Sequence, residues 1–198
     1  MFTHENCKFS GIHYTRRMKW IIASDLHGSA YYCRKLFEKF EEERADKILL
    51  LGDLLYHGPR NDLPKEYNPK SVISMLNSHA EQLVCVRGNC DAEVDQMVLD
   101  FPMMADYAVL DCGKTSIYAT HGHVYNEENP LKFSKGSIMI CGHFHVPCIH
   151  IHENFIYMND GSLSLPKENS FHSFMTFDGK DFLWHDLETG EIKMRHTI

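Results

Sequence analysis

Asp25-Leu26-His27, Gly52-Asp53, Gly88-Asn89, His121-Gly122-His123 and Gly142-His143-Phe144-His145 are the stretches of this sequence whose residue types and spacing could do chemistry. Carboxylate, carboxamide and imidazole groups are oxygen and nitrogen donors suited to borderline metal ions. Asp25, His27, Asp53, Asn89, His121, His143 and His145 make seven such side chains, an awkward number for one ion but suitable for two if one carboxylate bridges. With Asp53 as the bridge the bonds divide evenly, and a shared position remains for water. A hydroxide held between two cations about 3.5–4 Å apart is the nucleophile of two-metal hydrolases, because each ion lowers the water's pKa and offsets charge developing on phosphate oxygens. The mixed donor set favours two divalent ions, Mn first and Fe, Zn, Ni or Co as alternatives, over Mg, which prefers oxygen shells.

Such donors need a scaffold that brings distant stretches together. Trp20 to Ser24, Ile48 to Leu51 and Leu83 to Val86 read as buried strands. Between them, Ser29 can cap a helix with an apolar face of Cys33, Leu36, Phe37 and Phe40, and Ser71 to His79 forms a shorter helix. This β-α-β-α-β order builds a parallel sheet with helices outside. From Tyr107 onward the helical period disappears and eight strand-sized runs follow, from Tyr107–Leu110 to Ile192–Met194. Each polar motif falls just past the end of an apolar run, where open α/β sheets bind ligands. Singly the motifs are weak, since Gly-Asp and Gly-Asn are ordinary turn sequences; their joint order carries the signal.

The rest of the chain sets bounds. The 198 residues are 43% hydrophobic, enough for one domain with a sizeable core. A formal charge of -7 argues against bulk nucleic acid or an anionic membrane as partner. Seven cysteines, never spaced C-x-x-C, fit a reducing cytoplasm rather than a disulfide framework, and no apolar run approaches membrane-spanning length. Residues 1–17 are polar and unpatterned: a poorly ordered or non-native extension, with Met18 as the natural start of an 18–198 domain.

The set Asp25-x-His27, Gly52-Asp53, Gly88-Asn89, His121 and Gly142-His143-x-His145 resembles the calcineurin-like metallophosphoesterase superfamily over essentially all of 18–198. The fuller strings Ser24–Ser29, Leu51–Asn61, Val86–Asp91 and Thr120–His123 are similar to those of bacterial YfcE-type phosphodiesterases. The resemblance implies an α/β fold, a four-layer α/β/β/α sandwich of two mostly mixed sheets flanked by helices. It also implies a partition of ligands: Asp25, His27, Asp53 and His145 around one metal, and Asp53, Asn89, His121 and His143 around the other.

Two departures stand out. Gly88-Asn89-Cys90-Asp91 has Cys90 where many members carry the histidine that protonates the leaving group, so a preference for good leaving groups is expected. Asn159-Asp160-Gly161-Ser162 lacks the proline that relatives often have, leaving the shape of that turn open. His57, Arg60, Asn61 and His123 are candidate substrate contacts, and Asp91 can orient a neighbour. The expected activity is hydrolysis of small phosphate diesters. The alternatives are a phosphomonoesterase or nucleotide pyrophosphatase and, from another class, an interaction module like the retromer subunit that shares the fold, which the complete ligand set disfavours. Exposed sheet edges leave homo-oligomerisation open.

Overall fold

The computed structural model describes residues 18–113 and 115–198, so the expected extension over 1–17 lies outside the described residues. Strands β1 (Trp20–Ala23), β2 (Lys47–Leu50) and β3 (Leu83–Cys85) are parallel neighbours. Helices α1 (Ala30–Glu42) and α2 (Pro69–Ser78) fill the crossovers. Ser29 caps α1 by accepting the Tyr32 N–H at 3.3 Å. The second helix begins two residues earlier than expected, because Asn68 caps it and Pro69 supplies a ready helical φ at its first position. A short helix α3 (Glu93–Gln96), with no apolar period to announce it, precedes the second sheet.

That sheet contains β4 (Tyr107–Asp111), β5 (Ser116–Thr120), β6 (Ser137–Cys141), β7 (Cys148–Ile151) and β8 (Phe155–Asn159), in the order β4-β5-β6-β8-β7. Then β9 (Ser173–Phe177), β10 (Asp181–Asp186) and β11 (Ile192–Thr197) return to the first sheet, β9 pairing antiparallel with β1. Both sheets are therefore mixed, of six and five strands.

The two-residue period of the strands assigns the layers. Ile22, Leu49 and Leu51 face Ile117, Ile138, Ile140 and Met158 in the core between the sheets. Ile21, Ile48 and Leu50 point the other way, onto Leu36, Phe37 and Leu76 of the helices. Over the outer face of the second sheet, Met139, Cys141 and Tyr157 are covered by Tyr125 and Phe133, so among the described residues the fourth layer there is loop rather than helix. Buried Trp184 ties the sheets together, its Nε1–H donating to the Asn159 carbonyl at 2.7 Å. Because β1–β3 run parallel, as do β5, β6 and β8, the two sheets present six strand ends along one edge of the sandwich.

Candidate metal centre

At that edge the backbone leaves ordinary strand geometry. Asp25, His27, Asp53, His143 and His145 all have left-handed φ, between 50° and 67°. Non-glycine residues rarely adopt this region, and a cluster of them is a strained arrangement typical of functional sites. The glycines between them make close approach feasible. A Cβ on Gly88 would collide with Asp53, and one on Gly142 would collide with Ser24 and come within 2.9 Å of Asp25 Oδ2.

The seven side chains singled out from the sequence converge. His145 Nε2 lies 3.1 Å from Asp25 Oδ1, and His27 Nε2 lies 3.4 Å from Asp25 Oδ1 and 3.6 Å from Asp53 Oδ2. On the other side of Asp53, His121 Nε2 is 3.5 Å from the same Oδ2, 3.0 Å from Asn89 Oδ1 and 3.2 Å from His143 Nδ1. Asp53 thus stands between two groups of donors.

The surrounding hydrogen bonds aim these atoms. His27, His121 and His145 each place Nδ1 against a backbone carbonyl, those of Tyr56 (2.8 Å), Leu51 (2.7 Å) and Leu165 (2.6 Å). Donation from Nδ1–H fixes the tautomer and turns the Nε2 lone pair inward. The carboxylates are sorted in the same way. Asp25 Oδ2 accepts the His143 N–H at 2.9 Å and the Ser24 hydroxyl at 2.6 Å, and Asp53 Oδ1 accepts the Cys90 N–H at 2.7 Å. Asp25 Oδ1 and His27 Nε2 remain buried without any hydrogen-bond partner. Buried polar atoms are rarely left so, and these are the atoms that face the common centre.

Electrostatics agree with the geometry. Burial would raise the Asp25 carboxyl, but the close approach of the His145 and then the His27 ring nitrogens holds it well below the usual carboxylate range. His143 is lowered to about 4 by burial and by neighbouring His121, leaving a neutral imidazole. His27 behaves differently: burial opposes its proton, yet Asp25 and Asp53 raise its pKa. A divalent cation would displace that proton, satisfy the orphaned atoms and neutralise both carboxylates.

Other expected contacts sort less uniformly. A cavity of about 340 Å³ opens over the centre, lined by Arg60, Asn61, Cys90 and, missed in the sequence, Lys167. Lys167 is placed by its own N–H, which donates to the His145 carbonyl at 3.1 Å; no motif marks it. His57 does not line this cavity. Its neighbour Tyr56 turns its carbonyl toward His27, and the His57 ring packs edge-on against Tyr56 and Tyr67. His123 faces an adjoining cavity instead, its ring 5.3 Å from that of His121. The Cys90 thiol stays protonated, pushed up to about 12 by burial and then by Asp53.

Two acids behind the centre have structural roles. Asp91 accepts the backbone N–H groups of Gly88 (2.7 Å), Asp53 (2.8 Å) and Leu54 (2.9 Å), clamping the loops after β2 and β3. Asp160, fully buried, lies 2.8 Å from Ser24 Oγ, whose proton serves Asp25. Burial and then the Asp25 charge push the Asp160 carboxyl well above the usual carboxylate range. The residue that replaces proline in this turn is therefore wired to the metal centre through one hydroxyl.

The strand-edge site, the two mixed sheets and the donor pattern define a metallophosphoesterase, and the chain belongs to the calcineurin-like phosphoesterase superfamily, whose domain matches residues 18–181. It is 38% identical over 161 residues to the phosphodiesterase YfcE of Escherichia coli K12, covering 81% of this chain and 88% of that protein. The solved structure of E. coli YfcE superposes with a TM-score of 0.88 at 36% identity, covering 91% of this chain and all of that one (100%). Wild-type Vps29 from Entamoeba histolytica, solved with zinc, shares the fold at a TM-score of 0.59 and 20% identity, covering 91% and 99% of the two chains.

Proposed function

We propose that the chain is a phosphodiesterase that uses two divalent metal ions, Mn first among Mn, Fe, Zn, Ni and Co, to hydrolyse small phosphate diesters. The observation that carries this reading is the pair of orphaned buried atoms, Asp25 Oδ1 and His27 Nε2, facing imidazoles whose other nitrogens are pinned to carbonyls. Asp25, His27, Asp53 and His145 would hold one ion, and Asp53, Asn89, His121 and His143 the other. Bound there, the ions supply a water of lowered pKa and positive charge for the phosphate oxygens.

The chain's own residues do the rest. Arg60 and Lys167, both in the cavity lining, bring cationic donors to the non-bridging phosphate oxygens. Asn61 is held by its Nδ2–H bond to the His57 carbonyl at 2.8 Å, which sets the shape of the Arg60 loop. Cys90 offers no positive charge to the departing alcohol, so leaving-group ability must come from the ester itself. The products are a phosphomonoester and an alcohol. A Brønsted plot over aryl diesters is expected to show a distinctly negative slope.

Asp53→Asn tests the bridge directly. Hydrolysis of bis(p-nitrophenyl) phosphate should fall by more than the roughly 10–100-fold that changes around metal ligands cost, with bound metal dropping toward one ion per chain. Retained activity with both ions bound would sink the assignment. Comparison with p-nitrophenyl phosphate separates a diesterase from a phosphomonoesterase, and full inactivity of the metal-loaded protein would favour an interaction module. Among the described residues no helix is long and apolar enough to cross a membrane. Seven cysteines without C-x-x-C spacing support a cytoplasmic protein, and the acidic balance supports one that avoids bulk nucleic acid.

A further inference from the structure

We propose that the cavity adjoining the metal centre is a subsite for one alcohol of the diester, and that it selects an alcohol bearing an ammonium group. The inference rests on the diesterase reading and names the substrate class of that site.

The cavity measures about 630 Å³ and shares His143 with the phosphate cavity as a common wall. A phosphorus held at the metals would therefore have this cavity as its neighbour across His143. Its volume lies in the range of small-ligand sites. The two cavities are opposite in charge. Arg60 and Lys167 line the phosphate side, whereas Glu127, Glu128 and Glu168 line the other, and no Lys or Arg is among its described lining residues.

The chain builds this division deliberately into one short segment. Lys167 and Glu168 are consecutive yet line different cavities, and Glu168 and Asn169 take left-handed φ of 53° and 57°. Phe144, 46% exposed and 5.1 Å from the His143 ring, and buried Tyr157 add aromatic side chains to the lining. Carboxylates combined with aromatic faces are the surroundings that recognise an ammonium group. Glu127 is held as the anion: burial would raise it, but hydrogen bonds from His150 and His152 bring it down. A zwitterionic diester, with phosphate against the metals and ammonium among the glutamates, matches both poles at once.

The test compares two substrates of nearly equal shape on the Mn-loaded enzyme, p-nitrophenyl phosphorylcholine and its uncharged carbon isostere, p-nitrophenyl 3,3-dimethylbutyl phosphate. The expected kcat/KM ratio favours the choline ester by about tenfold or more. Glu128→Gln/Glu168→Gln, at two exposed positions that leave the core untouched, should bring the ratio toward one. A ratio near one in the unaltered enzyme, or one unchanged in the double variant, overturns the subsite while leaving the diesterase reading intact. Failure to hydrolyse either ester or bis(p-nitrophenyl) phosphate with metals bound overturns both.

Discussion

Asp160 shows how much one side chain can mean once its surroundings are known. Its carboxyl is fully buried beside Ser24 and Asp25, with Oδ2 unpartnered. Its folded pKa lies above the ordinary 3.8, so folding disfavours the anion and stability is lost as pH rises past that value. Asp160→Asn removes this cost while keeping a polar group beside Ser24. The metal-free variant is expected to melt about 4 °C higher than the unaltered protein at pH 7, with the gain vanishing near pH 3; differential scanning calorimetry across that range reads the difference. The left-handed φ values at Asp25, His27, Asp53, His143 and His145 belong to the same scale. Nothing in the residue names announces them, because Asp and His are not turn glycines; only the demand of converging donors holds them there.

The elements explain why those donors meet. Three parallel strand ends of the first sheet (β1, β2, β3) and two of the second (β5, β6) deliver one donor motif apiece, and the loops after β2 and β3 are locked together by Asp91. Asp91→Asn would point an amide donor at N–H groups that need an acceptor. It is expected to destabilise the chain by about 3 kcal/mol in urea unfolding and to weaken metal retention at the same time. Gly88→Ala acts at the same junction: its Cβ would meet Asp53, so metal binding should fall more than the melting temperature does. Isothermal titration with Mn²⁺ checks that. The eleven strands among the described residues were legible as strand-sized runs bounded by polar or turn residues. Helix α3 was not, since its four residues carry no apolar period.

For the molecule as a whole, the acidic balance of -7 and an anion-binding site coexist because two divalent ions would offset Asp25 and Asp53. The metal-free and metal-bound proteins should therefore respond differently to pH. His27, raised above 6.5 in the fold, stabilises the metal-free chain below that pH, and this is lost as pH rises through its folded value. Asp25, lowered below 3.8, stabilises above that pH and is lost as pH falls. Metal-free stability from these two groups should thus peak between about pH 4 and 6.5. Metal loading, which requires the deprotonated imidazole, should strengthen as pH rises above that window and release protons, measurable by titration calorimetry in buffers of different ionisation enthalpy.

The sequence by itself determined the candidate chemistry: which side chains could donate, their order, and the strands that precede them, because apolar periodicity and residue type are local properties. It also named Asp91 as an orienting acid. Only the tertiary structure decided which candidates reach the centre. It sent His57 against Tyr56 and Tyr67, placed His123 in the neighbouring cavity, and brought in Lys167 and Asp160 from the connection between β8 and β9. Those outcomes depend on β9 turning back to pair with β1. That is a long-range choice, set by how two mixed sheets close over one core, and no local pattern encodes it.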